Sequence, residues 1–195
     1  MKVYEFAVVG AGFAGAATAY HLTRRGVKDV VILEQESIPG FHASARNAAM
    51  LRQCVPEAHL AKLTRDGAEF LRNLPSDWPE PVSFKPHGSL LLGSGESWRK
   101  LQRDAETGRK LGIDVVSWSP DQARRHVPVL DGAQFEGAIW CASDGIVDIH
   151  TLLSGYLKAA VSHGAEIRYN ARIRAIRDPG GGDLEIVTDG EAVRA

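Results

Sequence analysis

Three glycines and one acidic residue give the first indication of chemistry in this sequence. Gly10, Gly12 and Gly15 follow directly on an apolar run, and Glu34 ends a second apolar run nineteen positions after the last glycine. At this spacing the glycines permit, in order, a tight turn, close approach of the backbone to a pyrophosphate, and close packing of a helix on a sheet. Glu34 can accept hydrogen bonds from ribose hydroxyls, and its charge would repel a 2′-phosphate. The spacing therefore predicts a dinucleotide site that disfavours NADP.

These residues need one β-α-β unit to position them. Hydrophobic patterning predicts a buried strand over Val3 to Val9, a helix over Phe13 to Arg25 closed by Gly26, and a second strand over Val30 to Glu34. The helix would direct its free N–H groups and the positive end of its dipole at a diphosphate. Three glycines alone are a weak signal, and a glycine-rich turn without chemical meaning is the alternative. The flanking strands, helix and acid together favour the nucleotide site.

The composition is that of an ordinary globular protein. The chain has 195 residues, 44% of them hydrophobic, which suits one large domain or one domain with part of another. Its formal net charge of -1 comes from interspersed acids and bases, and it indicates neither a nucleic-acid surface nor a polybasic membrane patch. No run of about 18 apolar residues exists to cross a bilayer, and the N-terminal segment is interpreted as a first strand and not as a targeting signal. We therefore expect a cytoplasmic protein that binds small molecules.

The cysteines and histidines argue against a metal or redox centre. Cys54 and Cys141 lie far apart in the sequence and in no CxxC pair, which predicts buried free thiols. The seven histidines show no HxxxH or HExxH spacing, so no metal site is expected. A nucleophile elbow of the GxSxG type is missing from the sequence as well.

The middle of the chain differs from its two ends in composition and in its predicted secondary structure. Four prolines fall between Pro75 and Pro86, which predicts an inserted domain over residues 77–142. A helix that opens at Pro56 and ends before Pro75 precedes it. The elements predicted inside it are strands at 82–84, 89–92 and 135–141 and helices at 98–111 and 120–126. A helix at 149–163 and strands at 166–169, 172–177 and 184–188 resume the α/β pattern, with a hairpin turn at 179–183.

The predicted fold class is α/β. A Rossmann-like nucleotide-binding domain, with a doubly wound parallel sheet and an added antiparallel hairpin or meander, would occupy residues 1–76 and 143–195. Residues 77–142 would form part of an α+β substrate domain. Only residues 191–195 follow the predicted turn at Asp189-Gly190, so we expect the C-terminal part of the nucleotide-binding domain to be absent.

The loop after Glu34 contains a second and more specific motif. It matches the pattern Gly-x-x-x-Ser-x-Arg-Asn-Ala at Gly40, Ser44, Arg46, Asn47 and Ala48. Together with the glycine motif, this loop resembles the FAD-dependent D-amino-acid oxidase (DAO) superfamily, especially its glycine oxidase, sarcosine oxidase and D-amino-acid dehydrogenase branch. Residues 144–148 also look like this family, and the chain is similar to the N-terminal half of its members.

The resemblance implies FAD as the cofactor and a segment that runs along it from the pyrophosphate to the flavin ring. Ser44 and the planar fork of Arg46 can reach phosphate or ring oxygens, whereas the small Ala48 and Ala49 let the backbone contact the isoalloxazine. The backbone at Ile173 is implied to lie against the adenine. The full set of candidate cofactor-binding residues is Gly10, Gly12, Phe13, Ala14, Gly15, Glu34, Gln35, Ser44, Arg46, Asn47, Ala48, Ala49, Met50 and Ile173.

Three features of this loop have simpler alternatives. Arg46 could pair with a surface acid such as Glu36. Residues 48–51 could form only a short buried helix. His42 lies in the loop where some flavoenzymes of this superfamily attach FAD covalently, but the surrounding sequence does not match that subgroup, which favours an ordinary loop histidine.

The resemblance implies an oxidoreductase that oxidises the C–N bond of an amine or amino acid. A hydride would pass from the α-carbon to flavin N5, and the electrons would go on to oxygen, a quinone or another acceptor. One alternative is a flavin-dependent dehydrogenase that acts on the C–O bond of a 2-hydroxy acid or glycerol phosphate. The other is a truncated, non-catalytic fragment, or a subunit that a partner chain completes. In the family, the groups that bind the substrate carboxylate come mostly from later sequence, so no catalytic residue is assigned in these 195 residues.

Overall fold

The computed structural model describes residues 2–195 and divides into two compact units. The first comprises the residues up to Ala48, Pro75–Val82 and Asp148–Ala195, and the second comprises Ala49–Leu74 and Ser83–Val147. In chain order the strands and helices are β1 (Phe6–Val9), α1 (Phe13–Arg24), β2 (Val30–Leu33), β3 (Met50–Leu51), α2 (Ala58–Arg72), β4 (Phe84–Lys85), β5 (Ser89–Gly93), α3 (Gly95–Lys110), β6 (Val115–Trp118), α4 (Pro120–His126), β7 (Gly137–Cys141), β8 (Gly145–Val147), α5 (Ile149–Ser162), β9 (Glu166–Arg168), β10 (Ile173–Arg177), β11 (Glu185–Thr188) and β12 (Val193–Arg194). Short 3-10 helices lie at Ala43–Ala45 and Pro128–Leu130.

A three-stranded parallel sheet forms the centre of the first unit, in the order β1-β2-β9. The middle strand is β2, and its four residues, Val30 to Leu33, are at most 2% exposed. A parallel strand that is covered on both faces needs such a continuous apolar run, which is why the sequence pattern predicted it. Helix α1 packs on α5, and the strands β10, β11 and β12 form an antiparallel meander. The predicted α/β class, a parallel sheet with an added antiparallel meander, is confirmed.

Residues Pro75–Val82 belong to the first unit because Trp78 packs between its helices. The rings of Tyr20 from α1 and Tyr156 from α5 lie edge-on to the Trp78 ring, at centroid distances of 5.4 and 5.0 Å. Gly155 makes room for this contact, since a Cβ at that position would lie 2.5 Å from the indole. The segment is therefore held to α1 and α5 by aromatic packing.

The second unit contains two antiparallel sheets, in the orders β5-β7-β6 and β3-β8-β4. Side chains from α2, α3 and the β5-β7-β6 sheet form its core, and the buried members include Ala61, Ala105, Val115 and Ile139. Strand β6 was not among the strands predicted from the sequence. Its pairing with β7 along its whole length, from Val115 opposite Cys141 to Trp118 opposite Ala138, establishes it.

The predicted domain boundaries, 1–76 with 143–195 and 77–142, differ from these units at two places. Helix α2 was assigned to the first domain, but its Ala61 is fully buried in the core of the second unit. Residues Pro75–Val82 were expected mainly in the inserted domain and instead pack in the first unit. Packing between distant segments decides to which unit each of these two segments belongs, and the local sequence pattern does not reveal that packing. The interpretation of the two units as cofactor and substrate domains stays a prediction.

Pairing between distant segments excludes one of the alternatives and corrects one predicted boundary. Residues 48–51 do not form a short helix, because Met50–Leu51 are β3 and lie antiparallel to β8, with Met50 opposite Ile146. The first strand begins at Phe6 and not at Val3, because Val3 forms an isolated bridge with Arg194 of the meander.

Both cysteines are buried and free, as predicted. Burial raises the pKa of the Cys54 thiol, and burial above all raises the pKa of Cys141 to about 12. Thiols of this kind stay protonated and unreactive at neutral pH.

No helix within residues 2–195 is long and apolar enough to cross a membrane.

Candidate functional site

The first glycine turn requires glycine at two positions, for different reasons. Gly10 has φ +91°, a conformation that L-residues rarely adopt, and its N–H donates to Leu33 O at 2.8 Å, which ties the turn to β2. A Cβ at Gly15 would lie only 1.9 Å from the Gly10 carbonyl oxygen. The first and third glycines of the motif therefore have the roles that their spacing predicted: a left-handed turn and a helix pressed against it.

Gly12 brings the start of α1 against the loop that follows β2. A Cβ on Gly12 would lie 2.8 Å from Ser44 Oγ, and the same hydroxyl accepts a hydrogen bond from Phe13 N–H at 3.0 Å. Gly12 is the N-cap of α1 and supplies no side-chain cap, and the first turn contains no acid. The first turn of a helix carries N–H groups without intrahelical partners and a positive dipole end, so this end of α1 suits an anion.

Glu34 is nearly buried at 6% exposure and is held by backbone on both sides. Its Oε2 accepts from Ala11 N–H at 2.7 Å, and its Oε1 accepts from Glu36 N–H at 2.9 Å. Its own backbone N–H and carbonyl pair with Arg168 O and Ala171 N–H, at 2.9 and 2.8 Å. A carboxylate has about four lone-pair sites. Two of these lone-pair sites on Glu34 are therefore left for further donors such as ribose hydroxyls.

A cavity of about 540 Å³ in the first unit joins these features. This volume lies within the range of about 300–1,000 Å³ that is usual for ligand pockets. Nine of the fourteen candidate residues line it: Gly10, Gly12, Phe13, Ala14, Gly15, Glu34, Gln35, Ser44 and Ile173. The structure thus brings the glycine motif, the acid and the hydroxyl together on one open crevice.

The same cavity is also lined by residues that were not among the candidates. They are Val9, Leu33, Gly40, Phe41, His42, Ala43 and Ala171. Gly40 and His42 lie inside the loop motif, so proximity in sequence to Ser44 was the signal available for them. Ala171 reaches the cavity through its hydrogen bond to Glu34, a contact between distant segments that no local pattern reveals.

Arg46 is not on this cavity. Its side chain is exposed and lines a separate groove of about 960 Å³, together with residues of α5 such as Leu153 and Leu157. The alternative pairing of Arg46 with Glu36 is also not what the structure has, since His42 Nε2 lies 2.9 Å from Glu36 Oε1. The role of Arg46 toward a cofactor stays a prediction.

The other candidates outside the cavity are four consecutive residues. Asn47 braces the loop, because its Nδ2 donates to Ser44 O at 2.7 Å. Ala48 is exposed and is the last residue of the first segment of the first unit. Ala49 and Met50 open the second unit, where Ala49 has φ +55° and Met50 lies in β3.

The chemistry of the lining fits the adenosine and diphosphate part of FAD. The start of α1 and the Ser44 hydroxyl offer donors for phosphate oxygens, and Glu34 offers acceptors for sugar hydroxyls.

Within residues 2–195, no group of three or more His, Cys, Asp or Glu side chains is arranged to hold a metal ion. Burial, followed by the charge of Glu34, raises the pKa of Tyr169, so this phenol is neutral at physiological pH.

Comparison with known proteins identifies the family to which this sequence is similar. A profile of the DAO family, described as FAD dependent oxidoreductase, matches residues 5–195. The chain is 27% identical over 186 residues to sarcosine oxidase subunit beta of Rhodobacter capsulatus, a match that covers 92% of this chain and 45% of the relative.

Among solved structures, glycine oxidase from Geobacillus kaustophilus matches with a TM-score of 0.84 and 25% identity, over 100% of this chain and 54% of that one. L-proline dehydrogenase from P. horikoshii matches with a TM-score of 0.87 and 21% identity, over 99% and 51% of the two chains. The chain therefore spans about half the length of these proteins.

Proposed function

The chain belongs to the DAO family of FAD-dependent oxidoreductases, and we propose that its first unit binds the adenosine and diphosphate part of FAD in a protein that oxidises an amine or amino acid. One observation carries this proposal. The glycine turn, the start of α1 and the buried Glu34 all open on one cavity of about 540 Å³. Names of relatives such as sarcosine oxidase and glycine oxidase support the substrate class.

Each part of the cavity has a separate task in this proposal. The first turn of α1 binds the diphosphate through backbone N–H groups, which requires Gly12 to lack a side chain. Ser44 already accepts from Phe13 N–H, so its own hydroxyl proton is available for a phosphate oxygen. Glu34 orients the ribose, because two backbone N–H bonds fix its carboxylate before the ligand arrives.

The adenine end and the flavin end use different segments. Ile173 and Ala171 line the cavity and supply apolar surface for the adenine. We propose that residues 46–50 continue from the diphosphate toward the isoalloxazine, with Arg46 near phosphate or ring oxygens. When bound, FAD supplies the hydride acceptor for oxidation of a C–N bond. The residues of this chain bind and orient it, and the groups that bind the substrate are proposed to lie in the remainder of the protein.

The first experiment measures FAD binding by this chain. We expect purified protein mixed with FAD to retain it through gel filtration, with visible flavin absorbance in the protein fraction. The Gly12→Val variant should lose retained FAD, because a β-branched side chain fills the space between the helix start and Ser44. Gly67→Ala is the matched control, since nothing lies within 4 Å of a Cβ at that position. Full retention of FAD by Gly12→Val would refute the proposed use of the glycine turn.

The second experiment addresses the substrate class with the full-length protein loaded with FAD. D- and L-amino acids, glycine, sarcosine and hydroxy acids are screened for bleaching of the flavin and for reduction of a dye acceptor. We expect at least one amine to bleach the flavin. Bleaching by a hydroxy acid but by no amine would replace C–N with C–O oxidation.

A further inference from the structure

The most completely buried acid of the second unit has no task in the proposed function so far. Asp144 is 0% exposed. Its Oδ1 accepts from Gln53 N–H at 2.9 Å, from Gln53 Nε2 at 3.2 Å and from Cys141 Sγ at 3.1 Å. Its Oδ2 accepts from Ser89 Oγ at 2.6 Å. A buried carboxylate is costly unless donors surround it, and here all four neighbouring groups can donate.

This network joins three segments that are remote in sequence. Gln53 follows β3, Ser89 begins β5 and Cys141 ends β7. The backbone strengthens the same junction, since Gly88 N–H donates to Asp144 O at 2.9 Å. Gln53 is itself 2% exposed, and its Nε2 also donates to Ser143 Oγ at 2.8 Å. Asp144 is therefore the common acceptor of one closed polar network.

The strand that follows Asp144 is hydrogen-bonded to a residue with a strained backbone. Asp144 leads directly into β8, where Val147 N–H donates to Ala49 O at 2.9 Å and Ile146 lies opposite Met50. Ala49 has φ +55°, a left-handed conformation that alanine adopts only when its surroundings enforce it. The network fixes both chains of this short pairing, β3 through Gln53 and β8 through Asp144 itself. A two-residue strand such as β3 is too short to hold its register alone.

We propose that Asp144 is a positioning residue, which fixes the β3–β8 pairing and thereby holds the strained backbone at Ala49. This inference rests on the proposed function, in which residues 46–50 run toward the isoalloxazine and the small Ala48 and Ala49 let the backbone contact it. Asp144 does not touch the cofactor in this proposal. It determines where the backbone of residues 48–50 lies, and so the environment of the flavin ring.

The test compares four variants in the whole chain, with and without FAD. Asp144→Ala removes the acceptor, and Ser89→Ala removes a single donor and is the milder change. Asp144→Asn is the conservative rescue, because its amide oxygen can replace Oδ1 and its NH₂ can donate to Ser89 Oγ. Asp104→Asn is the matched control, since Asp104 is a buried acid of α3 in the same unit.

Two measurements separate a positioning role from a merely structural one. Hydrogen exchange of Val147 N–H, without FAD, reports the hold on Ala49. We expect exchange about tenfold faster in Asp144→Ala, a smaller increase in Ser89→Ala, and wild-type rates in the other two variants. Visible circular dichroism and the reduction potential of bound flavin, with FAD, report the ring environment. Both should change in Asp144→Ala and Ser89→Ala at equal FAD occupancy, and neither should change in Asp104→Asn.

Each remaining outcome counts against the proposal in a recognisable way. Faster exchange in Asp144→Ala and Ser89→Ala with an unchanged flavin spectrum and potential would make Asp144 structural only. Unchanged exchange would mean that the network does not hold Ala49. Wild-type protein that takes up no FAD would refute the proposed function and this inference together. If the wild type takes up FAD, and the circular dichroism and reduction potential of the flavin in Ser89→Ala equal those of the wild type, this inference alone is refuted.

Discussion

Replacement of Gly15 by alanine is the sharpest test of the close packing at the glycine turn. The added Cβ would lie 1.9 Å from the Gly10 carbonyl oxygen, and Cβ atoms in proteins essentially never approach closer than 3.0 Å. The obstacle is backbone and not the end of a flexible side chain. Either the turn at Gly10 or the start of α1 must therefore shift by about 1 Å, in an interior packed as densely as a crystal.

The expected magnitude follows from two opposing effects. Overpacking against backbone costs about 3 kcal/mol, the upper end of the usual range. Alanine is better than glycine inside a helix by about 1 kcal/mol, which offsets part of this cost. The net loss of about 2 kcal/mol corresponds to a melting temperature lower by roughly 4–8 °C for a chain of this size. The affinity for FAD should fall as well, because the same turn borders the proposed diphosphate site.

Gly67→Ala provides the control for this measurement. Gly67 also lies inside a helix, α2, but nothing lies within 4 Å of its added Cβ. It should gain about 0.5–1 kcal/mol from helix propensity alone. Urea unfolding and thermal melting of both variants, with and without FAD, give the comparison. A Gly15→Ala protein as stable as the wild type, with wild-type FAD affinity, would refute the argument that the turn and the helix are pressed together.

Three further predictions concern single ionisable groups. Glu34→Gln should weaken FAD binding about 10- to 100-fold in a fluorescence titration. Each carboxylate oxygen accepts one backbone N–H, so the amide NH₂ of glutamine would place a donor against one of these donors. Unchanged affinity would contradict the role of Glu34. The hydrogen bond from the Tyr4 hydroxyl, above all, lowers the pKa of Glu166 from 4.5 to about 2, so stability from this group is complete above pH 4.5 and is lost as the pH falls toward 2. Because this carboxylate is partly exposed, the loss should be about 1 kcal/mol in urea unfolding between pH 5 and 2, and Glu166→Gln should lack it. Burial raises the pKa of Cys54 and Cys141, so neither should react with a thiol reagent at pH 8 until the protein is unfolded, and rapid labelling of native protein would show that the thiols are accessible.

The sequence predicted the first unit well because its signals are local. A buried parallel strand needs a continuous apolar run, and β2 has one. A turn with positive φ needs glycine, and Gly10 supplies it. The acid at the end of β2 reaches the cavity because the direction of a strand fixes where its last residue points. Each of these inferences depends on residues within one β-α-β unit.

Other features were decided by contacts between segments far apart in the chain. Helix α2 has a clear amphipathic pattern, but only the burial of Ala61 assigns it to the second unit. Strand β6 is four residues long and exists through its pairing with β7. The position of Arg46 was inferred from a motif, and its side chain lines a different groove from the glycine turn.

The sequence by itself determined the family, the parallel strands and the glycine turn, because covalent spacing along one β-α-β unit sets their geometry. Only the tertiary structure decided that Ser44 accepts a hydrogen bond from the first residue of α1, where the two units divide, and how Asp144 joins β3 to the strands beside it. The physical reason is that hydrogen bonds and packing between remote segments depend on the final fold, and no local pattern of residues encodes the partner of a buried side chain.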